Sequence, residues 1–483
     1  MLFNSIEFFL FFFLFFFLYW FVFNNDLRCQ NLLLLLGSYL FYGWWDWRFL
    51  FLLMFSTGLD FLIGLKIDKT PKTASKKYLL WISIIINLSL LCFFKYCNFF
   101  ITSFTNALDS INIHINPWIL QIVLPVGISF YTFHGLSYVI DIYRGTCKPT
   151  KSLINYCVFV CYFPLLVSGP IERATHLLPQ IEKPRLFRYD KALEGCRLIL
   201  WGLFKKIVIA DSLAPAVNDI FHNYNQYPGG VLALGAIYFS FQIYCDFSGY
   251  SDIARGTSKL LGIDLFLNFN FPYFSRSISD FWKRWHVSLS SWFRDYLYIP
   301  LGGSRTTRAK TIRNVLIVFI LSGFWHGANL TFIIWGMMHA ILFLPSFLKK
   351  GASSIKIDVT NSHPVFATVI SFFKVAITFS LITLTWIFFR ADTTGNAFGF
   401  IKGLFHKSYS TGYLNPYNNL PMTRENILII LFYLAEYIIS NKEFACNLWK
   451  YKLVSIAATT TIIFFILTTI HLDVKQAFIY FQF

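Results

Sequence analysis

His326 has the most unusual surroundings among the 10 histidines of the chain. It sits in Ser322-Gly323-Phe324-Trp325-His326-Gly327-Ala328-Asn329, an apolar stretch where an ionisable side chain is costly and is by default a functional-site candidate. Gly323 and Gly327 flank it and leave room for backbone or substrate to approach closely. Asn329, three residues on, shares its face if the helical turn continues. His339, in Trp335-Gly336-Met337-Met338-His339, lies roughly 220° round a straight helix from His326. It reads as a core histidine bonded to a neighbouring span, although a break near Gly327 would free it to converge. A further imidazole, His286, follows two cations in Trp282-Lys283-Arg284-Trp285-His286. Upstream, Asp246-Phe247-Ser248-Gly249-Tyr250-Ser251-Asp252-Ile253-Ala254-Arg255 puts carboxylates and an arginine where a span should end. Asp252 and Arg255 are spaced for an i,i+3 ion pair closing that helix, and they are also possible supporting groups at the site. His114, His176, His222, His363, His406 and His471 fall in loops or at span ends, where a solvated imidazole suffices.

There is no GxSxG elbow, no GxxxxGK[ST] phosphate loop, no HExxH and no Cys/His cluster with zinc spacing. Serine hydrolase, ATPase and zinc chemistry lose support, and no metal ligand set is expected. Buried histidine with polar neighbours and no obvious protein nucleophile suits general-base activation of a substrate hydroxyl.

The elements that must carry these groups lie in lipid. Only 13% of the 483 residues are charged and 56% are hydrophobic, against about 25% and 45–50% in soluble domains. A soluble enzyme is excluded. The run Phe8 to Phe23 is unbroken, and apolar segments recur near 5–23, 29–45, 47–65, 78–100, 119–143, 153–168, 196–217, 230–250, 312–327, 329–348, 365–389, 425–440 and 453–471. The chain therefore reads as one all-α integral membrane domain over 1–483, with about 11–13 membrane helices. Glu7 stands where a signal peptide would be basic, so the first span is retained. The nine cysteines form no CxxC pair and read as buried free thiols.

The net charge of +17 lies in short tracts between apolar runs, as topology signals do, and not on a nucleic-acid face. Lys66, Lys69, Lys72, Lys76 and Lys77 place their loop in the cytoplasm and the N-terminus outside. Arg144, Lys148 and Lys151 then fall inside, as does 171–197 if 153–168 enters and returns with a break at Ser168-Gly169-Pro170. The 221–229 and 391–424 loops fall outside, and Lys349, Lys350 and Lys356 inside if 312–327 and 329–348 form a hairpin. The region 251–311 interleaves Arg and Lys with Trp282, Trp285 and Trp292, which suits amphipathic, partly embedded cytoplasmic helices. Its charge would attract anionic phosphates.

The string Phe281-Trp282-Lys283-Arg284-Trp285-His286, continuing to Leu301-Gly302-Gly303, and the string Gly323 to Asn329 resemble the membrane-bound O-acyltransferase (MBOAT) family, in its AlgI-like alginate O-acetyltransferase branch. Tyr42-Gly43-Trp44-Trp45-Asp46, the stretch Leu124 to Phe133 and Ser168-Gly169-Pro170-Ile171-Glu172-Arg173 resemble that branch too. The resemblance implies a curved helical bundle with re-entrant pieces around a transmembrane tunnel. Its core would cover about 1–390, with variable spans over 391–483. It implies His326 as the catalytic histidine and His286 as the second active-site histidine; the basic, Trp-rich stretch itself offers Lys283, Arg284 and Trp285 as donor-binding groups. The reaction implied is acyl transfer from cytoplasmic acetyl-CoA, with no tightly bound cofactor, to hydroxyls of an extracytoplasmic polysaccharide such as an alginate-like exopolysaccharide or peptidoglycan. A periplasmic SGNH-hydrolase-like partner would complete it at the bacterial inner membrane. D-alanyl transfer to teichoic acid from a carrier protein is the alternative within the family. A proton-coupled transporter with a histidine relay is the alternative of another class, and it leaves the Trp, Arg and His string unexplained.

Overall fold

The computed structural model describes residues 1–116, 119–120, 122–167, 169–348, 364–406, 423–440, 452–469 and 478–479. Ser168, Lys349, Lys350, Lys356, His363, Cys446 and His471 lie outside the described residues, as does 407–422 of the expected 391–424 loop, whose first part instead holds the helix Thr394–His406. Every regular element among the described residues is helical. Phe49–Lys69, Thr73–Asp109, Gly229–Leu260 and Thr368–Arg390 are long and apolar enough to cross a membrane. Ile6–Val22, Leu153–Leu166, Leu330–Phe343 and Leu453–Thr469 are shorter apolar helices, at or below the lower end of the length that spans a 30 Å hydrocarbon core. The chain divides into two compact units, Met1–Ile199 with Tyr250–Phe266, and Leu200–Gly249 with Leu267–Phe483.

In the first unit, Phe49–Lys69 packs on Thr73–Leu91 and Ile128–Arg144. Asp60 is buried among them, and its carboxylate accepts from Ser83 Oγ at 2.6 Å and Asn87 Nδ2 at 3.0 Å. Those bonds offset the desolvation that an isolated carboxylate would suffer there. The 119–143 segment becomes helical only from Ile128, because Pro125 and the left-handed Gly127 (φ 75°) delay its start. The 153–168 segment is two short helices, Leu153–Cys161 and Phe163–Leu166, broken at Tyr162. Just beyond it, the buried Glu172 accepts from the Phe266 backbone N–H at 2.6 Å and pairs with His176 at 2.7 Å.

The second unit departs from expectation in its first spans. The 196–217 segment is not one regular helix. Tyr189–Leu203 passes through a wide turn at Phe204–Asp211 into Ser212–His222. The wide turn lets the buried Lys206 meet both Asp211 and Asp246 at 2.7 Å, a local widening of the kind that often re-aims side chains. Gly229–Leu260 runs for 32 residues, so Asp246, Asp252 and Arg255 sit inside a helix and not at the span end expected near 250. Past it, the Trp-rich stretch is made of Ile278–Trp282, Val287–Phe293 and the wide turn Arg294–Tyr298. Trp282, Trp285 and Trp292 are buried, while Lys283, Arg294 and Arg305 are exposed.

Candidate active site

His326 ends the helix Arg308–His326, because Gly327 is extended and cannot continue it. Asn329 then caps Leu330–Phe343, its Oδ1 accepting from the Thr331 N–H at 3.1 Å. The helical turn therefore does not continue. Asn329 is off the His326 face, and its Nδ2 donates to the Asp392 carbonyl at 2.8 Å. The two arms of this hairpin approach through glycine. A Cβ on Gly323 would overlap the Phe332 carbonyl, and one on Gly336 would overlap that of Phe319. The glycines thus serve backbone packing, which brings the second arm's Trp335 against the histidine. His326 is 3% exposed, and its ring lies 4.8 Å from Trp325, 5.1 Å from Trp335 and 5.2 Å from Phe389. Such a wall excludes water and strengthens electrostatics around a reacting group.

His286 is buried on the other side of Trp325, with ring centroids 6.0 Å apart. It begins Val287–Phe293 with φ 42° and ψ 53°, a left-handed conformation that costs a non-glycine residue about 1–2 kcal/mol. Asn268 holds it there. The Val287 N–H donates to the Asn268 carbonyl at 2.9 Å, and Asn268 Oδ1 receives both His286 Nδ1 at 3.0 Å and Ser288 Oγ at 2.9 Å. An amide oxygen can only accept, so His286 Nδ1 carries the proton and Nε2 presents a lone pair. Nε2 has no hydrogen-bond partner among the described residues. Burial pushes this imidazole down to about 3, which keeps it neutral and able to accept.

His339 has a different environment. Trp282 Nε1 donates to its Nδ1 at 3.3 Å, and its Nε2 lies 3.0 Å from Thr385 Oγ1, which itself donates to the Ile382 carbonyl. Both nitrogens are used in tying helices together. Asp252 and Arg255 belong to the first unit, where they pair with each other at 3.4 Å. Arg284 pairs with Asp280 at 2.9 Å. Trp285 is 1% exposed and packs against Phe269, Phe281 and Trp386, so it is a core residue and presents no face to a donor. Lys283 lines a cavity of about 450 Å³ together with Arg294, Trp282, Val287, Phe319 and Ser322. Ser322 precedes His326 by one helical turn, about 6 Å. Asn268, Ser288 and Arg294 were not singled out by sequence reasoning. Asn268 gives a faint signal, an amide in the apolar run Leu265-Phe266-Leu267-Asn268-Phe269.

The buried His326 at the break of a hairpin, a second buried histidine near Trp325, and a cavity ending a turn from His326 together form the candidate site. The model of the membrane-bound O-acyltransferase family matches residues 150–348, a stretch holding both histidines. The chain is 39% identical over 411 residues to the probable alginate O-acetylase AlgI of Pseudomonas aeruginosa, covering 84% of this chain and 76% of that one. It is 35% identical over 402 residues to the peptidoglycan O-acetyltransferase of Helicobacter pylori, covering 77% and 73%. Against the teichoic acid D-alanyltransferase of Bacillus subtilis it is 32% identical over 234 residues, covering 45% and 57%. The chain belongs to the membrane-bound O-acyltransferase family and is a polytopic O-acyltransferase. The transporter reading falls with that membership.

Proposed function

We propose that the chain transfers an acetyl group from cytoplasmic acetyl-CoA to hydroxyls of an extracytoplasmic polysaccharide, as a multi-pass protein of the bacterial inner membrane. The observation that carries this reading is the cavity that joins exposed Lys283 and Arg294 to Ser322, one turn from His326. The cations suit the phosphates of CoA, and the largely apolar wall suits its thioester arm. His326 takes the acceptor hydroxyl's proton as the oxygen attacks the thioester carbonyl, and returns it to the sulfur as the C–S bond breaks. His286, with its lone pair at Nε2, accepts a hydrogen bond from a second, neighbouring hydroxyl of the acceptor and so orients the one that reacts. The aromatic wall keeps water from competing as acceptor.

Two relatives named for O-acetylation align over about three quarters of the chain or more, and the D-alanyltransferase over less than half. That difference favours acetyl over D-alanyl transfer. A periplasmic SGNH-hydrolase-like partner, working with this chain at the extracytoplasmic face to complete the transfer to the polysaccharide, is part of the proposal. The test is purified protein in nanodiscs with radiolabelled acetyl-CoA and, separately, a D-alanyl carrier protein, each with alginate and peptidoglycan oligosaccharides, with and without such a partner. Acetyl transfer that requires His326 is expected. Transfer from the D-alanyl carrier alone would overturn the donor assignment.

A further inference from the structure

A second cavity, of about 460 Å³, lies in the same unit and is polar where the first is apolar. Asn218, Asp219, His222, Asn223, Arg390 and Asp392 line it. We infer that this cavity is a saccharide-binding site that holds the acceptor glycan beside the tip of the His326 hairpin, an inference that rests on the acyl-transfer reading above.

Its position follows from the chain. Arg390 comes directly after Phe389, whose ring packs 5.2 Å from His326. Asp392 receives the hydrogen bond from Asn329 at the hairpin tip. The donor cavity is lined by Val315, Phe319 and Phe343, farther down the two arms, so the two cavities meet the hairpin at different levels. The positive-inside rule places the 221–229 loop and the segment after Arg390 outside, and the tract containing Lys283 and Arg294 inside.

The chemistry follows from the side chains. A guanidinium, two carboxylates, two amides and an imidazole surround one space, offering donors and acceptors in fixed places. Arg390 Nη2 donates to Asn218 Oδ1 at 2.8 Å, its guanidinium sits 5.7 Å from the Phe221 ring, and Nη1 lies 3.8 Å from Asp392. Asp219 accepts from Asn223 Nδ2 at 2.8 Å and from Tyr227 Oη at 2.5 Å. These bonds hold the polar groups before a ligand arrives, which lowers the entropy cost of binding. Mixed signs disfavour a bare cation or phosphate, while adjacent hydroxyls of a sugar ring can pair with carboxylate and amide or guanidinium together. The volume falls in the range of small-ligand sites.

The test uses the full chain in nanodiscs with an oligomannuronate and a peptidoglycan fragment as probes. Asn218→Ala, Asp219→Asn and Asp392→Asn are each expected to raise the KM for one of these oligosaccharides at least tenfold, with the KM for acetyl-CoA within twofold of the parent. Direct binding of the same oligosaccharide, followed by saturation-transfer NMR, should weaken in parallel. Unchanged oligosaccharide KM and binding in all three folded variants would overturn the assignment. So would variants that retain oligosaccharide use but lose transfer to a partner protein's hydroxyl, which would make the cavity a protein-docking site. Oligosaccharide binding that the variants weaken, in a parent protein that transfers no acetyl group, would uphold this site and overturn the acyl-transfer reading instead.

Discussion

Asn268 is the most informative residue to perturb, because it sets both the conformation and the tautomer of His286. Asn268→Ala removes the acceptor of His286 Nδ1–H and of Ser288 Oγ–H, at 3.0 and 2.9 Å, and leaves the buried His286 Nδ1–H donor unpaired. Such a donor costs about 1–3 kcal/mol. The imidazole is then free to move its proton to Nε2, where the lone pair is needed. If about 1.4–2.8 kcal/mol of this is lost at the transition state, kcat falls roughly 10- to 100-fold. Asn268→Asp keeps an acceptor and therefore the tautomer, but adds a carboxylate that favours the imidazolium. Burial holds His286 at about 3, so the parent shows no acid limb from this group above that value, and Asn268→Asp should move one up toward the assay range. The assay is steady-state acetyl transfer in nanodiscs from pH 5 to 8.5, with thermal stability measured in parallel. An Asn268→Ala protein with kcat within twofold of the parent would refute the tautomer argument. So would an Asn268→Asp profile with no shift of its acid limb.

His326→Ala should cut acetyl transfer by about 100- to 10,000-fold, the range for a lost general base, while the protein stays inserted and monodisperse on size exclusion; retention of more than a tenth of the activity would sink the assignment. His339→Ala loses its bonds to Trp282 and Thr385 together with buried packing, so a stability loss of about 3 kcal/mol is expected, read as a fall in melting temperature larger than that of His326→Ala. Lys283→Gln with Arg294→Gln should raise the KM for acetyl-CoA about 5- to 10-fold, since exposed ion contacts are each worth at most about 1 kcal/mol; an equal rise with acetyl-pantetheine, which lacks the nucleotide, would assign the pair to lipid. His176 has its pKa raised by the Glu172 carboxylate, so its contribution is full below about 6.5 and is lost as pH rises through the raised value. The melting-temperature advantage of the parent over His176→Gln should therefore be larger at pH 6 than at pH 9, and a reversed trend would refute the sign.

His326 and His339 were legible because an ionisable group in an apolar run needs an explanation and each stands in one, whereas His286 was reached by its place after two cations and by the resemblance. Their separation into two active-site candidates and one tie was only half legible. The 220° offset of His339 from His326 assumes a straight helix, but Gly327 breaks it. What decides His339 is a pair of partners, Trp282 and Thr385, 57 and 46 residues away in sequence. Asn268 was missed for the same reason, since its role depends on meeting His286, 18 residues away in sequence. Trp285 shows the opposite failure. Its place in a basic string suggested a donor contact, yet three adjacent aromatic residues offered a better site for its indole than an interface did. The ends of Gly229–Leu260 were misread because hydropathy falls at Asp246, where Lys206 in fact balances the charge from another helix.

The hairpin geometry carries a consequence for how a transfer across the membrane can avoid hydrolysis. Gly323 and Gly336 bring the two arms into backbone contact, so no side-chain-sized gap runs between them at that level. His326 sits about one turn beyond this closure toward the hairpin tip, with Trp325, Trp335 and Phe389 packed around it. A donor reaching Ser322 from the Lys283 side and a hydroxyl reaching Phe389 from the Arg390 side would approach one imidazole from two cavities lined by different residues. Widening that closure should admit water to the thioester before a glycan arrives. Gly336→Ala is the substitution that does so, since its Cβ would collide with the Phe319 carbonyl and push the arms apart. In an inserted Gly336→Ala protein, thiol release from acetyl-CoA without acceptor should rise while glycan acetylation falls. Loss of both activities in equal proportion, with melting temperature preserved, would show that the closure positions the reactants without excluding water.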